Sequence, residues 1–233
     1  MKKILLLIIS SLSIISCSKK ENTVFSGTIK GLSKGTIYLQ QVQDSVLKTI
    51  DSVNLNGSNS FSFPLTLEEP DVFYFYLDKK DGTKYDDRLE IFLEPGEINL
   101  TSKLKNLEKV AKITGSKNHT KFMEYKEMLS KFNVKNIGLL QANFEAVKNS
   151  DTVLIKDSER KLKLLQKQKY LYTVNFAIQN KDLEVAPYIT LREIKDANVT
   201  YLDTIRKSLS LKVKRSKYGK QLKELIKKRE EKL

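Results

Sequence analysis

The sequence predicts an α+β protein in which an antiparallel β-sandwich or open barrel is followed by an all-helical domain. Seven of the nine glycines fall between Gly27 and Gly115, and three of the four prolines also lie in the first half. Turn residues at short intervals indicate short strands, and their absence later indicates long helices. Apolar residues also alternate in the first half and recur every three or four residues in the second.

We divide the 233 residues into four segments. Residues 1–16 are assigned to a leader and residues 17–23 to a tether. Residues 24–115 form the predicted β-domain, and residues 116–233 form the predicted helical domain.

The chain begins with Lys2 and Lys3, followed by an apolar run of 12 residues from Ile4 to Ile15. A basic start and a short apolar run are typical of a secretory signal peptide. A membrane-spanning helix needs about 20 apolar residues. We therefore expect a cleaved leader rather than a permanent membrane span.

Cys17 is the only cysteine, and it follows Ile14-Ile15-Ser16. This segment resembles the bacterial lipobox. The resemblance implies cleavage before Cys17, a diacylglycerol thioether on its sulfur and acylation of the new amino terminus. Several acyl chains on one residue anchor a protein firmly, whereas one chain binds only marginally. We expect Cys17 to be the lipid-attachment site; the alternative is a free or buried cysteine after an uncleaved leader.

The first predicted strands lie in residues 24–41, VFSGTIKGLSKGTIYLQQ, on either side of a glycine-rich turn. Further on, the pair Asn56-Gly57 favours a type I′ hairpin, whose central residues need positive φ. Phe61 and Phe63 then alternate with serines, which indicates a strand with one buried face.

The segment DVFYFYLD, residues 71–78, predicts a strand with two different apolar faces. One face would carry Phe73, Phe75 and Leu77, and the other Val72, Tyr74 and Tyr76. The segment KKDGTK predicts a turn, RLEIFLEPGEINLTS two strands around Pro95-Gly96, and KVAKIT a last strand. About eight strands of this length suggest a sandwich or an open barrel.

The second half begins with two consecutive helical stripes of apolar residues. The first stripe consists of Phe122, Tyr125, Leu129 and Phe132, and the second of Ile137, Leu140, Phe144 and Val147. We expect both stripes to pack on other helices or on the sheet.

Four later segments are also predicted to be helical. One runs from about Val153 to Gln179, and Pro187 lies in the first turn of the next, where a missing amide donor costs little. The others contain the stripes Leu202, Ile205 and Leu209, and Tyr218, Leu222, Leu225 and Ile226.

His119 is the only histidine, so a Ser-His-Asp triad would have to use it, and a zinc site of several histidines is impossible. We expect it on the surface near the start of the first helix. Acidic residues also cluster around one predicted turn: Asp78, Asp81, Asp86, Asp87 and Glu90. Lysines among them favour a solvated hairpin tip over a calcium loop. We expect no catalytic residue, metal or cofactor.

The basic charge of the chain is concentrated in its second half. Residues 22–112 contain 11 basic and 13 acidic residues, a net charge of −2, whereas residues 113–233 contain 27 and 14, a net charge of +13. Nucleic acid is a common partner of basic chains, but export and the lack of a recognition motif argue against it. Anionic envelope surfaces are an alternative, at about 1 kcal/mol per lysine. The interpretation we favour is that lysine-rich helix faces solvate an apolar bundle.

Several short motifs occur in a characteristic order along the chain. They are FSGTIKGLSKGTIYL, DSVNLNG followed by FSF, LEPGEINL, EVAPYI and SKYGKQL. In this order they resemble the domain of unknown function (family 4369) that precedes thioredoxin-like (AhpC/TSA-type) domains in Bacteroidetes lipoproteins. In fuller members of that family the following domain carries a Cys-x-x-Cys pair and acts as a thiol–disulfide oxidoreductase. This sequence ends at Leu233, about where that domain would begin, so we expect the thioredoxin-like domain to be absent.

Thiol exchange needs a thiolate and a second cysteine close by. The lipid would consume the sulfur of Cys17, so we expect a protein without redox activity. The sequence thus suggests a non-enzymatic lipoprotein that docks to another envelope protein, such as a thioredoxin-like partner. Ser18, in place of the aspartate that retains enterobacterial lipoproteins at the inner membrane, favours the outer membrane. The next residues lack the acidic cluster of some surface-exported lipoproteins, which favours a periplasm-facing orientation. The alternatives are an enzyme that uses carboxylates of the β-domain or, without export, a nucleic-acid-binding protein.

Overall fold

The structure is a computed structural model that describes residues 20–79 and 87–231. Within these residues, eight strands form two four-stranded sheets. The strands are β1 (Thr23–Lys30), β2 (Lys34–Gln43), β3 (Val46–Asn56), β4 (Ser60–Leu65), β5 (Asp71–Asp78), β6 (Asp87–Leu93), β7 (Gly96–Lys103) and β8 (Lys112–Thr114).

The two sheets form an open sandwich. The first sheet has the strand order β4-β1-β7-β8 and the second has the order β3-β2-β5-β6. The strand pairs are antiparallel except β1 and β7, which run parallel from Thr23 opposite Gly96 to Lys30 opposite Lys103. The helical region follows, so the predicted α+β fold class is confirmed.

The sandwich core lies between the sheets and is rich in aromatic rings. Phe25 on β1 contacts Phe61 on β4 and Phe75 on β5, with ring centroids 5.3 and 6.3 Å apart. The alternation predicted for β5 is confirmed, because Phe73, Phe75 and Leu77 lie in this core. Val72 and Tyr74 face the helices instead.

The predicted hairpin at Asn56-Gly57 is wrong. Gly57 has a φ of +86°, but β3 and β4 belong to different sheets, so this turn crosses the sandwich. The two-residue hairpin lies earlier, where Asp44 and Ser45 join β2 to β3 with φ values of 50° and 65°. Positive φ at both central residues is the requirement of a type I′ turn. The strands around Pro95-Gly96 likewise lie in different sheets.

The last predicted strand is only half present. A short helix, α1 (Leu107–Val110), occupies its first part, and β8 begins at Lys112. The helical turn places Leu107 in the sandwich core with 1% of its surface exposed. The hydroxyl of Ser102 donates a 2.7 Å hydrogen bond to the carbonyl of Leu107 and fixes the turn.

Six further helices follow among the described residues. They are α2 (Lys117–Lys148), α3 (Thr152–Gln179), α4 (Val185–Glu193), α5 (Val199–Ser208), α6 (Leu211–Arg215) and α7 (Lys217–Glu230). Ser116 caps α2 by accepting from the amide of His119, and Asp151 caps α3 by accepting from two amides. The predicted helical segments are confirmed, and the two consecutive stripes prove to lie on one helix, α2.

The helices pack on the outer face of the second sheet through a cluster of aromatic rings. Phe92 on β6 makes edge-to-face contacts with Phe122, Tyr188 and Tyr218, at centroid distances of 6.2, 5.4 and 6.2 Å. These rings come from α2, α4 and α7, so the sheet is covered by three helices. A second apolar cluster, which includes Leu202, Ile205, Leu222 and Ile226, lies among α3 to α7.

Candidate docking surface

The distal parts of α2 and α3 form an antiparallel helical arm, which we define as residues 130–169. The apolar residues of α2 in the buried clusters end at Leu129, and those of α3 begin at Tyr170. Within the arm, Ala146 and Leu165 are the buried apolar residues, and Asn143 donates a 2.7 Å hydrogen bond to the hydroxyl of Ser158. At 1.5 Å per residue, the α2 part of the arm is about 28 Å long.

The second apolar stripe of α2 lies on this arm and is exposed. The exposed fractions are 55% for Ile137, 50% for Leu140, 67% for Phe144 and 55% for Val147. We call these four residues the α2 stripe. The prediction that this stripe is packed on another element is wrong, because α3 packs on a different face of α2, through residues such as Ala146 and Asn143.

The first stripe of α2 is packed against other elements, as predicted, whereas the second stripe of the same helix is exposed. Phe122 and Tyr125 are each 1% exposed, and Leu129 packs against the same cluster. The hydroxyl groups of Tyr125 and Thr173 form a 2.7 Å hydrogen bond between α2 and α3. The base of the arm is thus fixed on the sheet, whereas its distal apolar face has no cover within the described residues.

The α2 stripe has the spacing of a helix–helix contact. Its residues are three, four and three positions apart, the spacing of a and d positions in a coiled coil. A shallow groove of about 400 Å³ runs along Ile137, Leu140 and Phe144. Contiguous exposed apolar patches on helices mark interaction sites more often than scattered apolar residues do.

His119 is buried, in contrast to the predicted surface position. It is 5% exposed, and its Nδ1 accepts a 3.3 Å hydrogen bond from the amide of Phe92. The proton of the neutral ring therefore lies on Nε2. Burial, with a smaller contribution from Lys126, lowers the pKa of His119 to about 4. His119 is thus a neutral hydrogen-bond donor whose lone pair is already used, which does not suit a general base.

The acidic cluster predicted at a hairpin tip is only partly within the described residues. Asp81, Asp86 and the side chain of Asp87 lie outside them. Glu90 lies instead at the interface between sheet and helices, where it accepts a 2.6 Å hydrogen bond from Tyr188 and pairs with Arg192. The solvated position predicted for Glu90 is therefore wrong, because α4 covers its side chain on the outer face of β6.

Asp71, at the start of β5, is the centre of a second polar contact with the helices. It accepts hydrogen bonds from Tyr218, from Lys217 at 2.6 Å and from Gln41 at 2.8 Å. Burial, followed by the charge of Asp71, raises the pKa of Tyr218. A cleft of about 840 Å³ opens beside these residues.

A third polar contact lies at the start of α2. The side-chain amide of Asn118 donates to Glu94 at 2.6 Å and to Glu184 at 3.4 Å, and its oxygen accepts from the amide of Val185. Burial raises the pKa of Glu184, whose nearest cation is Lys212 at 3.8 Å. These contacts bond the β-sandwich, α2 and α4 together.

In the part of the chain that the structure describes, no group of three or more His, Cys, Asp or Glu residues is placed to hold a metal ion. Cys17 lies outside the described residues. No helix of residues 20–79 and 87–231 has the length and apolar character needed to cross a membrane.

The fold and the arm define an α+β protein with an exposed apolar stripe on a helical arm. Residues 23–122 match the model of the family described as Domain of unknown function (DUF4369). The match extends from β1 to Phe122 in α2, so it confirms the resemblance to this domain of unknown function over the sandwich. The arm lies beyond the matched residues. No curated protein matches the chain.

Proposed function

We propose that the protein is a non-enzymatic lipoprotein that is anchored to the outer membrane through Cys17, faces the periplasm and binds a protein partner through the α2 stripe. The exposure of Ile137, Leu140, Phe144 and Val147 supports the binding role. Burying such side chains contributes roughly 1.5–3 kcal/mol each when burial is complete. This contribution is absent while the four side chains are in water, and a bound partner would supply it.

The base of the arm supports the same role. Phe122 and Tyr125 hold α2 on the second sheet, and the Asn118 and Asp71 contacts fix the neighbouring helices. A partner that binds the stripe therefore meets a helix whose position is already fixed. This reduces the conformational entropy that is lost on binding.

The apolar stripe alone would give modest affinity, because association itself costs an estimated 4–15 kcal/mol. A lipid anchor at Cys17 would offset part of this cost by confining both molecules to one membrane, which raises their effective concentration. The anchor and the stripe are therefore complementary parts of the proposal.

A catalytic role finds less support in the arrangement of carboxylates. The cleft at Asp71 and the cleft at Glu90 each contain one largely buried carboxylate. Both carboxylates are already bonded to tyrosine and cationic side chains. A pair of free carboxylates would suit general acid–base catalysis better.

Two measurements test the proposal. Fatty-acid labelling and membrane fractionation should detect lipid on the wild-type chain and none on Cys17→Ala; equal labelling would contradict the anchor. For docking, a photo-crosslinking amino acid at Phe144 should give protein adducts in intact cells. The same probe at Ala142, on the opposite face of α2, should give far fewer. Absence of adducts at Phe144 would contradict the docking role.

A further inference from the structure

The sandwich is open along one side, where a cleft lies between the edge strands β6 and β8. These strands end the second and the first sheet, respectively. The cleft has a volume of about 700 Å³, and residues of β6, β8 and the first half of α2 line it. Ligand sites commonly have volumes of roughly 300–1,000 Å³. We call this cleft, which contains Glu90, the edge cleft; it shares no residue with the α2 stripe.

The outer edge of β6 carries backbone groups that are not bonded to β5. The amide of Phe92 donates to His119, so it points away from β5. In an antiparallel pair, residues two positions apart direct their backbone groups to the same side. The N–H and C=O of Glu90 therefore also point away from β5, and neither group has a partner in the described part of the chain. Glu90 thus offers a main-chain donor and a main-chain acceptor to a further strand.

His119 supplies another donor at the same place. Its side chain is 5% exposed and lines the edge cleft. Because Nδ1 accepts from the amide of Phe92, the proton of the neutral ring lies on Nε2. Among residues 20–79 and 87–231, Nε2 has no hydrogen-bond partner, and it does not belong to the fully enclosed atoms that lack one. This N–H is therefore free to donate to a carbonyl oxygen in the cleft.

We propose that the edge cleft binds an extended peptide segment of another protein, which adds to β6 as a further strand. One residue of the peptide exchanges two main-chain hydrogen bonds with Glu90, and a neighbouring peptide carbonyl accepts from Nε2 of His119. In strand addition, main-chain bonds supply affinity and side-chain pockets supply specificity. This site goes beyond the docking function, because it uses no residue of the α2 stripe.

The walls of the cleft indicate which side chains the peptide carries. Leu89 and Ile113 form the wall next to the sandwich core, whereas Met123 on α2 is 45% exposed and forms part of the opposite wall. Side chains of a strand alternate between its two faces. Apolar side chains at every second residue of the peptide therefore lie against Leu89 and Ile113.

The charges of the cleft favour an uncharged peptide. Its glutamates on α2 are already paired, Glu124 with Lys121 at 2.7 Å and Glu127 with Lys131 at 2.9 Å. The carboxylate of Glu90 is likewise engaged by the helices. Three of the four carboxylates that line the cleft are thus satisfied, so main-chain and apolar contacts remain for the ligand.

The test titrates the isotope-labelled full chain, solubilised in detergent, with capped pentapeptides in which threonine alternates with valine, leucine or phenylalanine. NMR follows the amide of Glu90 and the ring of His119, the only histidine. The control peptides are N-methylated at each residue and so lack main-chain donors. Met123→Trp fills the cleft, and Val134→Trp is the matched control, because Val134 is an exposed apolar residue of α2 outside the cleft.

We expect at least one of the three peptides to shift both signals and its N-methylated form to bind at least tenfold more weakly. Met123→Trp should weaken binding at least tenfold and Val134→Trp less than twofold, with unchanged circular dichroism spectra as the control for folding. Absence of a shift at the Glu90 amide with all three peptides, or equal binding of the N-methylated forms, would overturn strand addition to β6. Equal binding by wild type and Met123→Trp would overturn the edge cleft as the site.

Discussion

Tyr218 on α7 donates a hydrogen bond to Asp71 at the start of β5, a contact between residues 147 positions apart. The same carboxylate accepts from Lys217 and from Gln41 on β2. One buried carboxylate thus connects the last helix to two strands of the second sheet. The helical half, which carries the arm, is held on the sandwich by contacts of this kind.

Removal of this carboxylate should destabilise the protein more than removal of the tyrosine hydroxyl. Tyr218→Phe leaves Asp71 its other donors and should lower the free energy of unfolding by about 1–2 kcal/mol. Asp71→Ala leaves three side-chain donors without their acceptor and should cost about 3 kcal/mol or more. Urea denaturation measures both changes. Lys207→Ala, which removes an exposed ion pair with Asp203, is the control and should cost less than about 1 kcal/mol.

His119 should titrate far below an ordinary histidine. Burial lowers its pKa to about 4, from an ordinary value of 6.5. Since the chain has one histidine, its ring protons give a single NMR titration curve without further assignment. A midpoint near 6.5 would show that the ring is exposed and that the amide of Phe92 is not bonded to it.

The depressed pKa of His119 also has a consequence for acid stability. The unfolded chain takes up a proton near pH 6.5, whereas the folded chain does so near pH 4, so stability is lost as the pH falls between these values. The loss assigned to His119 is up to about 3 kcal/mol. His119→Gln should lose less stability over this range, as measured by denaturation at pH 7 and pH 4.5. An identical loss in both proteins would contradict this assignment.

The effect of Glu184 on folding stability should depend on pH in the opposite direction to that of His119. Burial raises its pKa above 4.5, so its ionisation costs stability as the pH rises from 4.5 through the pKa in the folded protein. Glu184→Gln avoids this cost and should become more stable relative to the wild type as the pH rises from 4 to 7. The difference in denaturation midpoint between Glu184→Gln and the wild type at each pH measures this relative stability. A difference that shrinks with rising pH would contradict the raised pKa.

The β2–β3 turn offers a stabilising substitution. Ser45 has a φ of 65°, a region that glycine occupies at less cost. Ser45→Gly should raise the free energy of unfolding by about 0.5–1 kcal/mol. The same exchange at Ser62, an exposed residue within β4, is the comparison and should destabilise the protein, because glycine weakens strands. Thermal unfolding distinguishes the two outcomes.

Local patterns predicted the elements better than their pairing. The alternation of Phe73, Phe75 and Leu77 depends on which face is buried, and a sequence shows this directly. The pair Asn56-Gly57 shows that the chain turns, but not whether the next strand joins the same sheet. The turn that does form a hairpin consists of Asp44 and Ser45. It lacks the glycine that usually marks a type I′ turn, so the sequence gave little indication of it.

The two stripes of α2 were also predicted without knowledge of what packs against them. Periodicity shows that Phe122 and Phe144 lie on apolar faces, but the partner of each face lies far away in the sequence. The sheet and α4 cover Phe122, whereas Phe144 is 67% exposed. His119 was misplaced for a similar reason, because its bond to the amide of Phe92 depends on packing between β6 and α2.

The central claim is that the α2 stripe binds a protein partner. Affinity purification after crosslinking in cells, with a tag on the full chain, tests it most directly when wild type is compared with Leu140→Glu/Phe144→Glu. Both side chains are at least half exposed, so the double variant should fold as the wild type does. We expect the wild-type chain to recover a protein partner and the double variant to recover none. Equal recovery by both proteins, or recovery of nothing by the wild type, would contradict the account.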